Sequence, residues 1–197
     1  MTGPAQAAGP GGDRQGPGPV TKEPGRRPAG GSGGSPPRVY TVPTAEAMRA
    51  LGTRLASLLR AGDLVILIGD LGAGKTTLVQ GIGAGLEVRG PVTSPTFVIA
   101  RLHPSLSGGP SLVHADAYRL TSPAEVDDLD LDETLDSSVT VVEWGGGLAE
   151  GLAADRLEVA ISPAGQGREV QITGHGERWS GLADSAFLAL SGGLEGL

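Results

Sequence analysis

A glycine-rich loop at residues 69–76 constrains the fold more than any other part of the chain. Its residues, Gly-Asp-Leu-Gly-Ala-Gly-Lys-Thr, match the phosphate-binding pattern G-x-x-x-x-G-K-[ST] at each fixed position. The apolar run at 64–68 precedes the loop, and Leu78, Ile82 and Leu86 follow it at a spacing of four residues, which favours a helix. A strand, a glycine loop and a helix in this order place backbone N–H groups at a helix N-terminus, where they bind phosphate.

The residue types in this loop predict a nucleoside triphosphate with Mg²⁺. Gly72 and Gly74 let the backbone approach the phosphate oxygens closely. Lys75 is expected to bridge the β and γ phosphates, Thr76 to give its hydroxyl to Mg²⁺, and Thr77 to reach an α-phosphate oxygen. A glycine-rich surface turn is the alternative, and the flanking strand and helix favour the phosphate loop over it.

Composition divides the 197 residues into three parts. Residues 1–37 are mostly Gly, Pro, Ala, Ser and charged residues, so they predict a disordered leader without the apolar segment of a secretory signal peptide. Residues 38–190 are enough for one domain with a core, and residues 191–197 predict a flexible tail.

Charge and residue usage exclude several classes of protein. A net charge of −7 argues against tight direct binding of nucleic acid. Cysteine is absent, which excludes disulfides, thiolate catalysis and cysteine zinc sites. The longest aliphatic run is far shorter than a membrane span, so we expect no membrane association and a cytoplasmic location.

The hydrophobic pattern predicts an α/β fold: a single P-loop NTPase-like domain with three α/β/α layers, a mostly parallel central sheet and a C-terminal β-hairpin. Thr44 is predicted to cap a first helix, and Ser122 with Pro123 to begin a later one. The remaining predicted elements are strands at 38–42, 63–68, 97–102, 111–115 and 139–142, a hairpin of 157–161 with 169–173, and a helix within 179–190.

Two acidic residues at strand ends compete for the role of holding the metal. Glu143 closes an apolar strand, where a carboxylate reaches Mg²⁺ at the carboxyl end of a parallel sheet. Asp116 follows the strand at 111–115 and fits the same argument. The histidines have no metal-ligand spacing, and His114 is interpreted as a packed strand residue without a chemical role.

Four segments together resemble the TsaE (YjeE) family. They are the phosphate loop at 69–77, Ser-Pro-Thr-Phe at 94–97, His-Ala-Asp-Ala-Tyr-Arg-Leu at 114–120 and Val-Glu-Trp at 142–144. The resemblance covers roughly residues 39–174. It implies an ATPase of the bacterial machinery that makes N6-threonylcarbamoyladenosine at position 37 of tRNA, working on the complex of its partners TsaD and TsaB.

The resemblance also implies roles for individual residues. Glu143 would complete the Mg²⁺ site with Thr76, and Asp116 would organise the water of the metal or the attacking water. Thr96 is similar to a switch threonine, and Trp144 would lie beside the nucleotide. The phosphates would be held by Lys75 and by the backbone of Gly72, Ala73, Gly74, Lys75, Thr76 and Thr77.

Three other functions are compatible with a phosphate loop. A small-metabolite kinase usually carries an arginine-rich lid, and the sequence has no arginine cluster beyond Arg26 and Arg27 in the leader. A GTPase usually has Asn-Lys-x-Asp, which is absent. A nucleotide-sensing adaptor that does not hydrolyse ATP would keep its bound ATP intact.

Overall fold

The structure is a computed structural model that describes residues 35–95, 99–180, 184–190 and 192. Strands and helices alternate along much of this part of the chain. In chain order they are β1 (Arg38–Val42), α1 (Ala45–Ala56), β2 (Leu64–Ile68), α2 (Lys75–Gly85), β3 (Ala100–His103), β4 (Ser111–Asp116), α3 (Pro123–Asp127), α4 (Asp132–Leu135), β5 (Ser138–Glu143), a 3₁₀ helix (Glu150–Leu152), β6 (Arg156–Ala164), β7 (Gly167–His175), α5 (Glu177–Ser180) and α6 (Asp184–Leu188).

The described strands form one sheet of seven in the order β1-β7-β6-β2-β5-β4-β3. The central strands β6, β2, β5 and β4 run parallel, whereas β1 with β7, β6 with β7 and β3 with β4 are antiparallel pairs. The predicted α/β fold and C-terminal hairpin are confirmed, but the sheet is mixed rather than mostly parallel. The connections within β3–β4 and β6–β7 are too short for a parallel crossover, so these neighbours must be antiparallel.

Strand β2 is buried on both of its faces. Leu64 and Ile66 join one apolar cluster, together with residues of α3 and of the segment after it. Val65 and Leu67 join the other cluster, which includes the buried sides of α1 and α2. Alternate residues of a strand point to opposite faces, so helices and apolar clusters lie on both sides of the sheet.

Helices α1 and α2 pack closely against one another. Thr44 caps α1 as predicted, since its hydroxyl accepts a hydrogen bond of 3.1 Å from the N–H of Ala47. A Cβ atom at Gly81 would collide with the backbone of Arg49, so this contact requires glycine. The helix propensity lost at Gly81 is thus offset by close packing, as the sequence predicts for α2.

The C-terminal segment forms two short helices, α5 and α6, where the sequence predicts one helix within 179–190; residues 181–183 lie outside the described part. Trp179 and Phe187 are buried, and the hydroxyl of Tyr40 donates to the carbonyl of Phe187 over 3.0 Å. Burial raises the pKa of Tyr40. This segment therefore belongs to the core.

The described residues begin within the predicted leader. The N–H of Ser35 donates to the carbonyl of Gly174 over 2.8 Å, next to strand β7. Residues 1–34, 191 and 193–197 lie outside the described part, so the disordered leader and flexible tail stay predictions. The predicted strand at 97–102 corresponds to β3, which begins at Ala100, and residues 96–98 are also outside the described part.

Candidate nucleotide-binding site

The glycine-rich loop joins β2 to α2, the arrangement that its sequence predicts. Helix α2 begins at Lys75, and Gly74 precedes it with a φ of 109°, a conformation that residues with a side chain rarely adopt. The first N–H groups of a helix have no partner within the helix. At the start of α2 these groups and the positive end of the helix dipole favour an anion.

Lys75 is buried, with 4% of its surface exposed. Its ammonium donates to the carbonyls of Gly69 and Asp70 over 2.8 and 2.9 Å, and it lies 3.7 Å from the centre of the Trp144 ring. Burial lowers the pKa of Lys75, and the nearby carboxylates of Glu143, Asp116 and Asp70 oppose this shift. The ammonium is thus a poorly solvated cation held at the loop by carbonyl oxygens and an aromatic face.

Glu143 ends β5 and is also buried, with 3% exposure. Its Oε1 accepts a hydrogen bond of 2.8 Å from the hydroxyl of Thr76, and Nε2 of His114 lies 2.8 Å from the same oxygen. His114 is wholly buried on β4, the strand next to β5. One carboxylate oxygen therefore connects the loop to two strands of the sheet.

Asp116 and Glu143 lie side by side at the ends of neighbouring parallel strands, since they are partners in the β4–β5 register. Asp116 accepts hydrogen bonds from the N–H of Tyr118 over 2.9 Å and from the hydroxyl of Ser94 over 3.3 Å. The two acids that compete in the sequence thus both reach the site. Asp116 is connected to the segment at 94, and Glu143 to the loop.

Trp144 follows Glu143 with a φ of 61°, which is rare for an aromatic residue. Its ring faces Lys75 and lies 5.0 Å from the ring of Tyr118, at an interplanar angle of 59°. Such non-glycine strain is found preferentially at functional sites. The backbone conformation turns the indole toward the phosphate loop.

A cleft of about 230 Å³ opens beside the loop. It lies between the β1–α1 connection, the start of α2 and the turn of the β6–β7 hairpin. Its lining includes Thr44, Met48, Gly74, Thr77, Gln166 and Arg168. The cleft adjoins the loop, since Gly72, Ala73 and Gly74 also line it, and it has the size for part of a nucleotide.

The model of the family described as threonylcarbamoyl adenosine biosynthesis protein TsaE matches residues 42–170. The chain belongs to the TsaE family. The resemblance that the sequence motifs indicate is thereby confirmed.

Relatives and a solved structure agree with this membership. The chain is 61% identical over 148 residues to the tRNA threonylcarbamoyladenosine biosynthesis protein TsaE of Streptomyces coelicolor, covering 72% of this chain and 99% of the relative. It is 38% identical over 141 residues to the protein of that name from Bacillus subtilis, covering 71% and 87%. A crystal structure of Bacillus subtilis YdiB is similar with a TM-score of 0.63 at 30% identity, covering 79% of this chain and 95% of that one.

The structure brings together most of the site residues that the sequence and the TsaE resemblance suggest. Lys75, Thr76, Asp116, Glu143 and Trp144 lie at one edge of the sheet, connected by the contacts described above. The backbone of Gly72, Ala73, Gly74 and Thr77 lies at the loop and cleft. Thr96 falls outside the described residues, so its switch role stays a prediction.

Two residues at the site were missed by sequence reasoning. His114 is wholly buried, as its interpretation as a packed strand residue predicts, but its contact with Glu143 is not predicted, although its position two residues before Asp116 puts both side chains on the same face of β4. Arg168 reaches the loop from β7, and no local pattern signals this contact. The first could be found from strand periodicity, the second only from the fold.

Proposed function

We propose that this chain is the ATP-binding, Mg²⁺-dependent ATP-hydrolysing component of the bacterial machinery that makes N6-threonylcarbamoyladenosine at position 37 of tRNA. Membership of the TsaE family supports the pathway. The observation that carries the chemistry is the meeting of a phosphate loop with two buried strand-end carboxylates, Asp116 and Glu143. Loop amides and a lysine bind phosphate, and the two carboxylates would supply a ligand to the metal and a group that orients the attacking water.

Thr76 and Glu143 fit a magnesium site. Their oxygens are 2.8 Å apart, and Mg²⁺ in nucleotide sites is held by one or two carboxylates, waters and the phosphates of the substrate. Among the described residues no group of three or more His, Asp or Glu side chains could hold a metal ion by itself. When bound, Mg²⁺ would neutralise charge on the β and γ phosphate oxygens.

Lys75 would bind the β and γ phosphate oxygens through its ammonium. Its burial makes this attraction strong, because little water screens the charge. The face of the Trp144 ring, 3.7 Å away, also holds the ammonium at the loop. We propose that the N–H groups of Gly72, Gly74, Lys75, Thr76 and Thr77 complete the cradle, so that negative charge moving to the leaving oxygen is stabilised during hydrolysis, while the N–H of Ala73 donates to Asp70 and closes the turn.

Asp116 would orient the attacking water. Its carboxylate is fixed by Ser94 and by the backbone of Tyr118, and it keeps further acceptor capacity. Water attacks the γ phosphorus in line, the bond to the β-phosphate oxygen breaks, and ADP, phosphate and a proton are released. Thr96 is proposed to sense the γ phosphate from the segment that follows Ser94.

The cleft beside the loop would receive the adenosine part of ATP. Thr44 lies on its wall, at the connection between β1 and α1. Met48 and Thr77 both line the cleft, so Met48 would offer an apolar surface to the base and Thr77 would lie where the cleft meets the phosphate loop. Base and phosphate would thus occupy adjoining parts of one site.

We propose that TsaD and TsaB are the partners and that the chain acts in the cytoplasm. The net charge of −7 disfavours direct binding of the tRNA phosphate backbone, which supports a role in assisting these two proteins. Within the residues that the structure describes, no helix is both long and apolar enough to cross a membrane. Hydrolysis by the chain alone is expected to be slow and to rise when both partners are added.

Calorimetry and turnover measurements test this function. Wild-type protein should bind ATP with Mg²⁺, Lys75→Ala should lose binding, and Glu143→Gln should need more Mg²⁺ to bind ATP and should lose hydrolysis. Glu133→Gln, at an exposed position of α4, is the matched control and should behave as wild type. Equal hydrolysis with and without TsaD and TsaB, or ADP release that requires an added metabolite, would contradict the proposal.

A further inference from the structure

One arginine of the β6–β7 hairpin donates hydrogen bonds to the backbone of the phosphate loop. Arg168 donates from Nε to the carbonyl of Ala73 over 3.2 Å and from Nη2 to the carbonyl of Gly72 over 3.3 Å. Its Nη1 donates to the carbonyl of Gly167 over 2.9 Å. We propose that Arg168 is a positioning residue that fixes the peptide planes of the phosphate loop, an inference that rests on the proposed ATP site.

Because the peptide bond is planar, a contact that holds a carbonyl also fixes the direction of the N–H in the same peptide unit. In a trans peptide unit the C=O and the N–H point in opposite directions. Holding the carbonyl of Ala73 from the hairpin side turns the N–H of Gly74 away from Arg168, toward the interior of the loop. Holding the carbonyl of Gly72 does the same for the N–H of Ala73, which donates to the carbonyl of Asp70 over 3.1 Å and closes the turn.

The loop needs such support because of its composition. Gly72 has a φ of 76° and Gly74 a φ of 109°, and glycine can leave these conformations at little cost. Peptide planes next to glycine rotate easily, so an amide that must face a phosphate has to be held from outside. The guanidinium holds two consecutive carbonyls at once, which the single ammonium of a lysine at this position does less well.

The position of Arg168 in the sheet makes the contact stable. Arg168 is opposite Val42 in the β1–β7 register, at the end of β1 where the chain turns into the capped start of α1. The side chain is partly buried and lines the cleft beside the loop. The three hydrogen bonds described for it all end on carbonyl oxygens, so they fix backbone rather than neutralise an acid.

Nuclear magnetic resonance of the nucleotide-free protein tests the orientation directly. In Arg168→Ala the amide resonances of Ala73 and Gly74 should move, and the affinity for ATP with Mg²⁺ should fall roughly five- to tenfold, as expected for one or two lost hydrogen bonds. Arg168→Lys should show most of both effects. Arg156→Ala, on the same hairpin but at its far end beside Glu158, is the matched control and should leave both readouts unchanged.

Other results would overturn the inference. Unchanged Gly74 resonances with weaker ATP binding would mean that Arg168 contacts the nucleotide directly. Full recovery in Arg168→Lys would mean that only its charge matters. If the alanine variant does not fold, Arg168→Lys and Arg168→Gln are judged by the same resonances. A wild-type protein that fails to bind ATP would sink the proposed function, whereas the resonances of the free protein would still decide the positioning role.

Discussion

The two ends of strand β2 bury charge in different ways. Before the strand, the carboxylate of Asp63 accepts hydrogen bonds from both Nε and Nη2 of Arg178 over 3.2 Å, and a third from the N–H of Arg60 over 2.8 Å. Beyond the strand, the hydrogen bonds described for Lys75 end on carbonyl oxygens. The first end neutralises its charges internally, so it serves stability. The second keeps charge that a phosphate and a metal ion can use.

Breaking the ion pair of Asp63 with Arg178, at what we call the closed end of β2, should have the largest effect on stability. Arg178→Ala leaves the buried Asp63 carboxylate without its cation and is expected to lower the free energy of unfolding by about 3–5 kcal/mol. Urea denaturation measures this loss, and the affinity for ATP should not change. The double variant Asp63→Asn with Arg178→Met should recover part of the stability. A loss below about 1 kcal/mol would mean that the two ends do not differ as argued.

Removing the charge of Lys75, at what we call the open end of β2, should weaken ATP binding and leave stability intact. Lys75→Met should weaken ATP binding by about 2–3 kcal/mol or more, since a buried charged donor is lost. Its stability should equal or exceed that of wild type, because burial has lowered the pKa of Lys75 and the charged form is costly to bury.

The pH dependence gives the sign of this effect. Unfolded chains hold the proton of lysine more tightly than the native protein, so wild-type stability should rise with pH between the lowered pKa and that of an ordinary lysine. The Lys75→Met variant should lack this rise. Arg49→Met, at a half-exposed position of α1, should keep both the rise and the ATP affinity, and clear destabilisation by Lys75→Met would refute the argument.

Loosening Glu143 should also weaken ATP binding at the open end, but by a smaller amount than the loss of Lys75. His114→Leu removes the contact to Oε1 and should raise the Mg²⁺ concentration needed for tight ATP binding about tenfold, as for one lost hydrogen bond to a charged group. His114→Gln places an amide N–H near the former Nε2 and should restore most of the effect. Calorimetric titrations at several Mg²⁺ concentrations measure it, and equal curves for wild type and His114→Leu would exclude the role.

A buried neutral group should give the smallest effect. Burial lowers the pKa of His103, which is 4% exposed on β3. Its folded pKa lies below its unfolded pKa, so the stability it contributes is present above about pH 6.5 and is lost as the pH falls toward the lowered value. The free energy of unfolding is measured against pH for wild type and for His103→Gln. The difference between the two curves should fall by up to about 1 kcal/mol as the pH is lowered. A flat difference would assign the loss to other groups.

Local signals in the sequence predict much of this architecture. The glycine loop, the cap at Thr44 and the buried run of β2 are each set by neighbouring residues, and the structure has all three. The cap at Ser122 is also correct, since it accepts from the N–H of Glu125, but α3 ends at Asp127. Capping specifies where a helix begins, whereas its length depends on the packing that follows.

Contacts between distant segments could not be predicted in this way. The pairing of β1 with β7, the approach of Arg168 to the loop and the ion pair of Asp63 with Arg178 each join residues that lie more than 90 positions apart. Such contacts depend on strand order, which periodicity within a segment does not determine. The two acids of the site were found because residues at the ends of parallel strands converge whatever the order of those strands.

The ion pair at the closed end also separates two kinds of boundary. The family match ends at residue 170, but Arg178, Trp179 and Phe187 lie beyond it and complete the core and the pair with Asp63. A chain shortened to the matched residues would keep every site residue named above, yet it would lose the ion pair that holds the start of its central strand β2. The region that the family model matches is therefore smaller than the region whose side chains pack together, and a chain cut at residue 170 should expose apolar core surface.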